Sequence, residues 1–172
     1  VACRKSLDMT VAHHTRIALL ALATALTSFS AIAAKVGEAL PSLTLKDQFG
    51  TAHTLDNKVR RIYAYADRSS GDVLKAATAG MEQAQLDAQQ AIVITNISDA
   101  PGFVKRLILS GLKDRRYAVW VDPSGSSKSL VPSRPDQVTV MDIEQSKVTA
   151  IRYVGKKAEL QAELKQALKT AQ

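Results

Sequence analysis

Eight residues, Tyr65 to Asp72 (YADRSSGD), hold the densest group of chemically useful side chains in the chain: Asp67, Arg68, Ser69, Ser70 and Asp72. They follow a strand-like run, RRIYA, and open a stretch of helical periodicity. A helix N-terminus offers unpaired backbone N–H groups and the positive end of a dipole. Two readings fit. In the first, Ser69 or Ser70 caps the opening turn, Gly71 relaxes the backbone, and Asp72 sits favourably near the dipole's positive end, with no ligand involved. In the second, a free hydroxyl and backbone N–H groups hold an anion or an external thiolate, with Asp67 and Arg68 at the mouth.

Covalent chemistry by these serines needs a base. After residue 33 the only histidine is His53, near an expected hairpin, and it has no spaced partner. A Ser-His-Asp set would have to join His53 to the distant Ser69 or Ser70, so His53 reads as a surface or turn histidine. Metal binding has even less support: one histidine, no cysteine after Cys3, and carboxylates (Asp47, Asp67, Asp72, Asp99, Asp122) spread over turns and helix starts. No metal, no cofactor and no phosphate-binding glycine loop is expected.

The cysteine count carries most of the functional argument. Cys3 is the only cysteine among 172 residues. It lies upstream of IALLALATALTSF (Ile17 to Phe29) and SAIAAK, an apolar run too short to span comfortably, followed by the small residues that signal peptidase needs. Residues 1–33 are therefore read as a secretory leader cleaved near Ala33-Ala34, and residues 34–172 as one exported, periplasmic domain. Residues 1–8 precede Met9, which is compatible with a misassigned start. The mature chain would hold no thiol in a compartment that permits disulfides. Losing Arg4, Lys5, Arg16 and Asp8 with the leader lowers the formal net charge from +7 to +5.

The remaining basic residues are scattered in pairs: Arg60-Arg61, Lys105-Arg106, Arg115-Arg116 and Lys156-Lys157. No basic stripe with interleaved aromatics appears, so nucleic acid is not an expected partner. The pairs read as solvated ends of elements, with a weak attraction for anionic lipid or polysaccharide as the alternative.

Positioning these residues requires a scaffold, and the hydrophobic period alternates between two and about 3.6 along the chain, as in a mixed α/β sheet. Ser42 to Leu55 predicts a strand, a turn at Asp47 to Gly50 and a short second strand. Arg61 to Ala66 predicts a third. From Gly71 to Gln90, Leu74, Ala77, Met81, Ala84 and Ala88 share one face of a predicted helix. AIVITNI (Ala91 to Ile97) is β-branched and nearly continuous, as in a central strand covered on both faces. Asp99-Ala100-Pro101-Gly102 starts a helix to Leu112 carrying Phe103, Val104, Leu107 and Ile108. Tyr117 to Val121 predicts a strand, with Tyr117 and Trp120 in the core or on a sheet face and a half-exposed Trp120 as the alternative, closed by a type I turn at Asp122 to Gly125. QVTVMDI and VTAIRYV flank Glu144 to Lys147 as a hairpin, and Lys156 to Ala171 is an amphipathic terminal helix on Leu160, Leu164 and Leu168.

This order of elements resembles the thioredoxin fold in its peroxiredoxin-like and TlpA-like extended form. The resemblance implies a mixed sheet with helices on both faces and an N-terminal β extension. VGEALPSLTLKDQFG (Val36 to Gly50) looks like the opening segment of those extracytoplasmic proteins. SRPDQVTVMDIEQSKVTAIRYVG (Ser133 to Gly155) resembles the segment in which a cis-proline begins an edge hairpin. More narrowly, YADRSSGDVLKAA, VITNISDAPGFVKR and WVDPSGSSKS together look like the YtfJ-type family of small periplasmic thioredoxin-like proteins.

Aligned on the thioredoxin active-site pattern, Ser69 takes the place of the first cysteine and Asp72 that of the second. Thiol exchange needs a thiolate and peroxide reduction needs a sulfenate, so neither is expected from this chain's own residues. The resemblance further implies that Arg134-Pro135 is cis and that Pro135 packs within side-chain reach of Ser69 and Ser70. It also implies that the Arg134-Pro135 loop binds an extended backbone, making an extended peptide or protein segment the expected partner. Asp136 stands where thioredoxins usually have Thr, which disfavours anionic partners unless Arg134 compensates. Two functions are carried forward: a non-redox binding module, and a thiol-dependent enzyme holding an external thiol such as glutathione at Ser69/Ser70.

Overall fold

Three parallel strands, β3 (Arg61–Tyr65), β4 (Ala91–Asn96) and β5 (Val119–Asp122), form the middle of the sheet. They pair in register through Tyr63, Val93 and Val119 in the computed structural model, which describes residues 34–170. Their runs RIYAY, AIVITN and VWVD are almost wholly buried, which is why they read as continuous apolar segments rather than alternating ones. Antiparallel strands complete the sheet. β1 (Thr44–Asp47) pairs with β5 and carries β2 (Ala52–Thr54) as the N-terminal extension, while β6 (Val138–Glu144) pairs with β3 and carries β7 (Lys147–Val154). The spatial order is β2-β1-β5-β4-β3-β6-β7. The secretory-leader reading of residues 1–33 and the predicted helix end at Ala171 lie outside the described residues.

Side-chain alternation divides the core between the two faces. Tyr63, Val93, Val119, Val138 and Val140 face one side, where they meet Leu74 of α1 (Arg68–Ala77), Leu86 of α2 (Gln83–Ala88), Leu112 of α3 (Gly102–Leu112), and Leu160 and Leu164 of α4 (Lys157–Thr170). Ile62, Ala64, Ile94, Trp120 and Met141 face the other. That second face is closed by Leu43, Val59, and by Leu130 and Val131 at the end of a 3-10 turn, η1 (Ser126–Ser129). Helical cover is thus unequal: α-helices on one face, one 3-10 turn on the other.

The single helix predicted from Gly71 to Gln90 is two helices. Gly80 takes φ +81°, a left-handed conformation that ends a helix. Just before it, the Thr78 hydroxyl lies 2.7 Å from the Leu74 carbonyl and 2.8 Å from the Tyr117 hydroxyl. The break resets the helical phase, so Leu86 and Gln89 are buried while Ala84 and Ala88 are exposed.

Trp120 is buried, the core placement of the two expected, and stacks on the His53 ring with centroids 5.3 Å apart. Of the apolar residues that α3 carries, Phe103 and Leu107 face solvent. The hairpin turn between β6 and β7 falls where predicted. Gln145 and Ser146 both take positive φ, the geometry whose twist suits a two-residue connection.

Candidate functional site

At the carboxyl ends of β3 and β4 the chain leaves the sheet in several loops, the usual location of ligand clefts in open α/β sheets. β3 ends in Tyr65 and Ala66, and Asp67 then caps α1. The Asp67 Oδ1 accepts the Ser70 N–H at 2.9 Å, and the Ser70 hydroxyl in return reaches the Asp67 backbone N–H at 3.4 Å and its carbonyl at 3.1 Å. This reciprocal box replaces the cap predicted at Ser69 or Ser70: Asp67 is the cap and Ser70 its partner. Ser70 is fully buried. Ser69 is exposed, and Asp72 lies beyond the first turn, 3.8 Å from Arg68 in an exposed pair worth little.

Gly71 has a different role from the one expected. A Cβ at this position would stand 3.1 Å from Tyr65 Cε2, so the glycine makes room for the Tyr65 ring. The Tyr65 hydroxyl is pushed up to about 12 by burial, with the Thr95 hydroxyl opposing, and it stays neutral at ordinary pH.

The Asp67 Oδ2 accepts the Asp136 N–H at 3.2 Å, which brings the Arg134–Gln137 turn to the N-terminus of α1. The nearness implied for the proline loop and the serine segment is present, bridged by Asp67. The cis bond is not: no cis peptide occurs among the described residues, so Arg134-Pro135 is trans. The local geometry gives the reason. Gln137 N–H reaches the Arg134 carbonyl at 3.3 Å and Asp136 has φ +61°, so Pro135 occupies the second position of a type II turn, which suits trans proline. Arg134 does not compensate Asp136; its guanidinium lies 3.9 Å over the Tyr153 ring. Two N–H groups of this turn, those of Gln137 and Asp136, are thus taken up by Arg134 and Asp67.

Beside the turn lies a cleft of about 420 Å³, floored by Ala64, Ile94 and Val131 and rimmed by Tyr65, Asn96, Ser127, Lys128, Ser133 and Thr139. An apolar floor under a few convergent polar groups is the usual make-up of a ligand site. On its rim, the Lys128 ammonium 2.7 Å away holds the Asp99 carboxyl below its ordinary value. Ser127 on the same rim is held in turn by Asp122, fully buried at the end of β5. Burial would raise the Asp122 carboxyl, but the hydroxyl and N–H of Ser127, with donors from Ser124 and Gly125, outweigh it and hold it at about 2. Sequence reasoning had Asp122 as the start of a type I turn. It missed Tyr65, Asn96, Ser127, Lys128, Ser133 and Thr139, because residues from four separate segments carry no shared local pattern.

Catalytic constellations do not assemble here. His53 Nε2 pairs with the buried Asp47 Oδ2 at 2.8 Å on the β1-β2 hairpin. β2 stands four strand positions from β3, roughly 19 Å at about 4.8 Å per strand, so His53 is no base for Ser69. No group of three or more metal-ligating side chains occurs among the described residues. A larger open cavity, about 930 Å³, lies at the opposite end of β3. Four of its charges answer one another, Arg60 apart: Asp142 binds Arg61 and Arg152 at 2.6 Å each, and Arg152 binds Glu163 at 3.2 Å, tying α4 to the sheet.

Solved structures of similar architecture include proteins named for redox chemistry. A candidate thiol:disulfide interchange protein DsbE from Chlorobium tepidum aligns over 81% of this chain and 99% of its own, with TM-score 0.56 and 19% identity. Peroxidoxin BcpB from Mycobacterium tuberculosis aligns over 80% and 96%, with TM-score 0.50 and 15% identity. The thioredoxin domain of a thiol-disulfide oxidoreductase from Bacteroides vulgatus aligns over 78% and 98%, with TM-score 0.50 and 13% identity. No family model matches the chain, and no curated protein sequence matches it. At these identities the likeness is one of architecture, and the fold of this chain is thioredoxin-like.

Proposed function

We propose that this chain is an exported, YtfJ-type member of the thioredoxin-like superfamily, with its leader removed near Ala33-Ala34. In this reading it acts as a non-redox binding module that takes an extended peptide or protein segment in the cleft beside α1. One observation carries the reading: where the fold would present a thiol, this chain has a closed Asp67-Ser70 cap, yet the adjoining cleft stays open. Cys3 is the sole cysteine, so residues 34–172 have no side chain that forms a mixed disulfide or a sulfenate.

The trans Pro135 moves the groove from the Arg134-Pro135 turn, where the resemblance puts it, to the neighbouring Val131–Ser133 segment. Ser133 is exposed on the cleft rim, and among the described residues its backbone groups find no partner. Such unpaired groups beside an apolar floor suit an extended backbone with a small side chain pointing inward.

Selection from a random peptide library displayed on phage tests this. Peptides enriched on the wild type are expected to be lost on Ser133→Trp, which covers the cleft with an exposed side chain. Peptides that bind both proteins equally would remove the cleft from the account.

A further inference from the structure

Among the α-helices, α3 is the one whose largest apolar residues face away from the sheet. Of its 11 residues only Leu112 is buried, whereas Phe103 and Leu107, one turn apart, are 69% and 72% exposed. The same outer surface carries cations. Arg106 is exposed three residues after Phe103, and Lys113 is exposed two turns further along; among the described residues neither has an ion-pair partner. No acidic residue lies between Gly102 and Leu112. Lys105 and Arg116, by contrast, are engaged with the Pro123 carbonyl and Glu82.

The exposed side of α3 thus holds two apolar side chains and two cations, with one exposed carboxylate, Asp114, next to Lys113, and that composition narrows the occupants. A second copy docked α3 to α3 would bring the cations Arg106 and Lys113 towards those of the other copy. Two side chains also fall far short of the roughly 800 Å² per partner that stable protein interfaces bury. A bilayer surface asks for less: a few apolar side chains at the headgroup boundary and cations against lipid phosphates. We propose that α3 is a peripheral membrane contact, with Phe103 and Leu107 entering the interfacial layer of an anionic phospholipid bilayer and Arg106 and Lys113 facing its phosphates. The contact lies in the plane of the surface and does not span, since no helix among the described residues is long and apolar enough to cross.

Flotation of the full chain with phosphatidylcholine vesicles, with and without phosphatidylglycerol, tests this. The apolar run Ile17 to Phe29 and the cations Arg4, Lys5 and Arg16 before it are common to all variants, so the differences between variants, and not the bound fraction of any one of them, report α3. Phosphatidylglycerol is expected to increase the bound fraction, and added salt to reverse the increase. Phe103→Ser with Leu107→Ser, and separately Arg106→Glu with Lys113→Glu, are each expected to weaken that binding about tenfold or more. Circular dichroism should be unchanged, because all four residues are exposed. Binding indifferent to phosphatidylglycerol, or unaltered by both double variants, would overturn the proposal. So would a dimer in sedimentation equilibrium that Leu107→Glu dissolves, because α3 would then be a protein interface.

Discussion

Asp67 holds the backbone N–H of Asp136 at 3.2 Å across 69 residues of chain while its other oxygen caps α1. One carboxylate therefore fixes both the helix start and the turn leading into β6. Asp67→Ala is expected to lower stability by about 2 kcal/mol, combining a lost cap with a lost charge-assisted bond. Asp67→Asn, which keeps one acceptor oxygen, should lose about half as much. Urea unfolding followed by circular dichroism checks this through a lower midpoint at constant slope.

How much of this was legible in the sequence depends on whether the cause was local. β4 and β6 declare themselves because AIVITN and VTVMDIE are β-branched runs with no competing helical period. The Asp67-Ser70 cap was visible only as a cluster of capping residue types; which one caps depends on where the helix begins, and that is set by the packing of Leu74 against the sheet. Pro135 was misread because a proline before a strand suits either isomer locally, and the positive φ of Asp136 that completes a type II turn has no glycine to announce it. The cleft was illegible since four segments distant in sequence build it.

Gly71 separates propensity from packing. In a solvated helix interior, glycine to alanine gains roughly 1 kcal/mol. Here the new methyl would press on the Tyr65 ring at 3.1 to 3.2 Å, between two segments that the Asp67 cap holds in place. Gly71→Ala is accordingly expected to be neutral or destabilising, by up to about 2 kcal/mol, the cost of overpacking. Pairing it with Tyr65→Leu should restore the alanine's gain. A double-mutant cycle on thermal melts reads the coupling.

Asp122 gives the account a pH signature. Its folded-state value, about 2, lies below that of an unfolded aspartate, so the unfolded chain binds the proton first and acid favours unfolding. The stability it supplies is fully present above about pH 4. It fades as pH falls through the folded value near 2. Asp122→Ala, which leaves the buried donors of Ser127 unpaired, is expected to cost about 3 kcal/mol at neutral pH. That cost should shrink in acid, which chemical denaturation at neutral pH and near pH 3 would show.

Redox chemistry should be absent, and restoring sulfur tests the alignment behind that expectation. The chain is expected to give no insulin-disulfide reduction and no thioredoxin-linked peroxide consumption above buffer. Ser69→Cys with Asp72→Cys places two sulfurs at C-x-x-C spacing in the first turns of α1, and a disulfide between them should form on mild oxidation. Mass measurement after alkylation detects it; two free thiols under oxidising conditions would mean that Ser69 does not stand at the active-site position.

The most direct measurement is an amide-resolved NMR titration of the protein with a peptide recovered from the library selection. Binding in the cleft is expected to shift Tyr65, Asn96, Lys128 and Ser133 first, while Arg61, Arg152 and Glu163 at the opposite end of β3 stay still. Shifts concentrated at Arg61 and Arg152, or no peptide that shifts any amide, would contradict the assignment of this thioredoxin-like chain as a binding module.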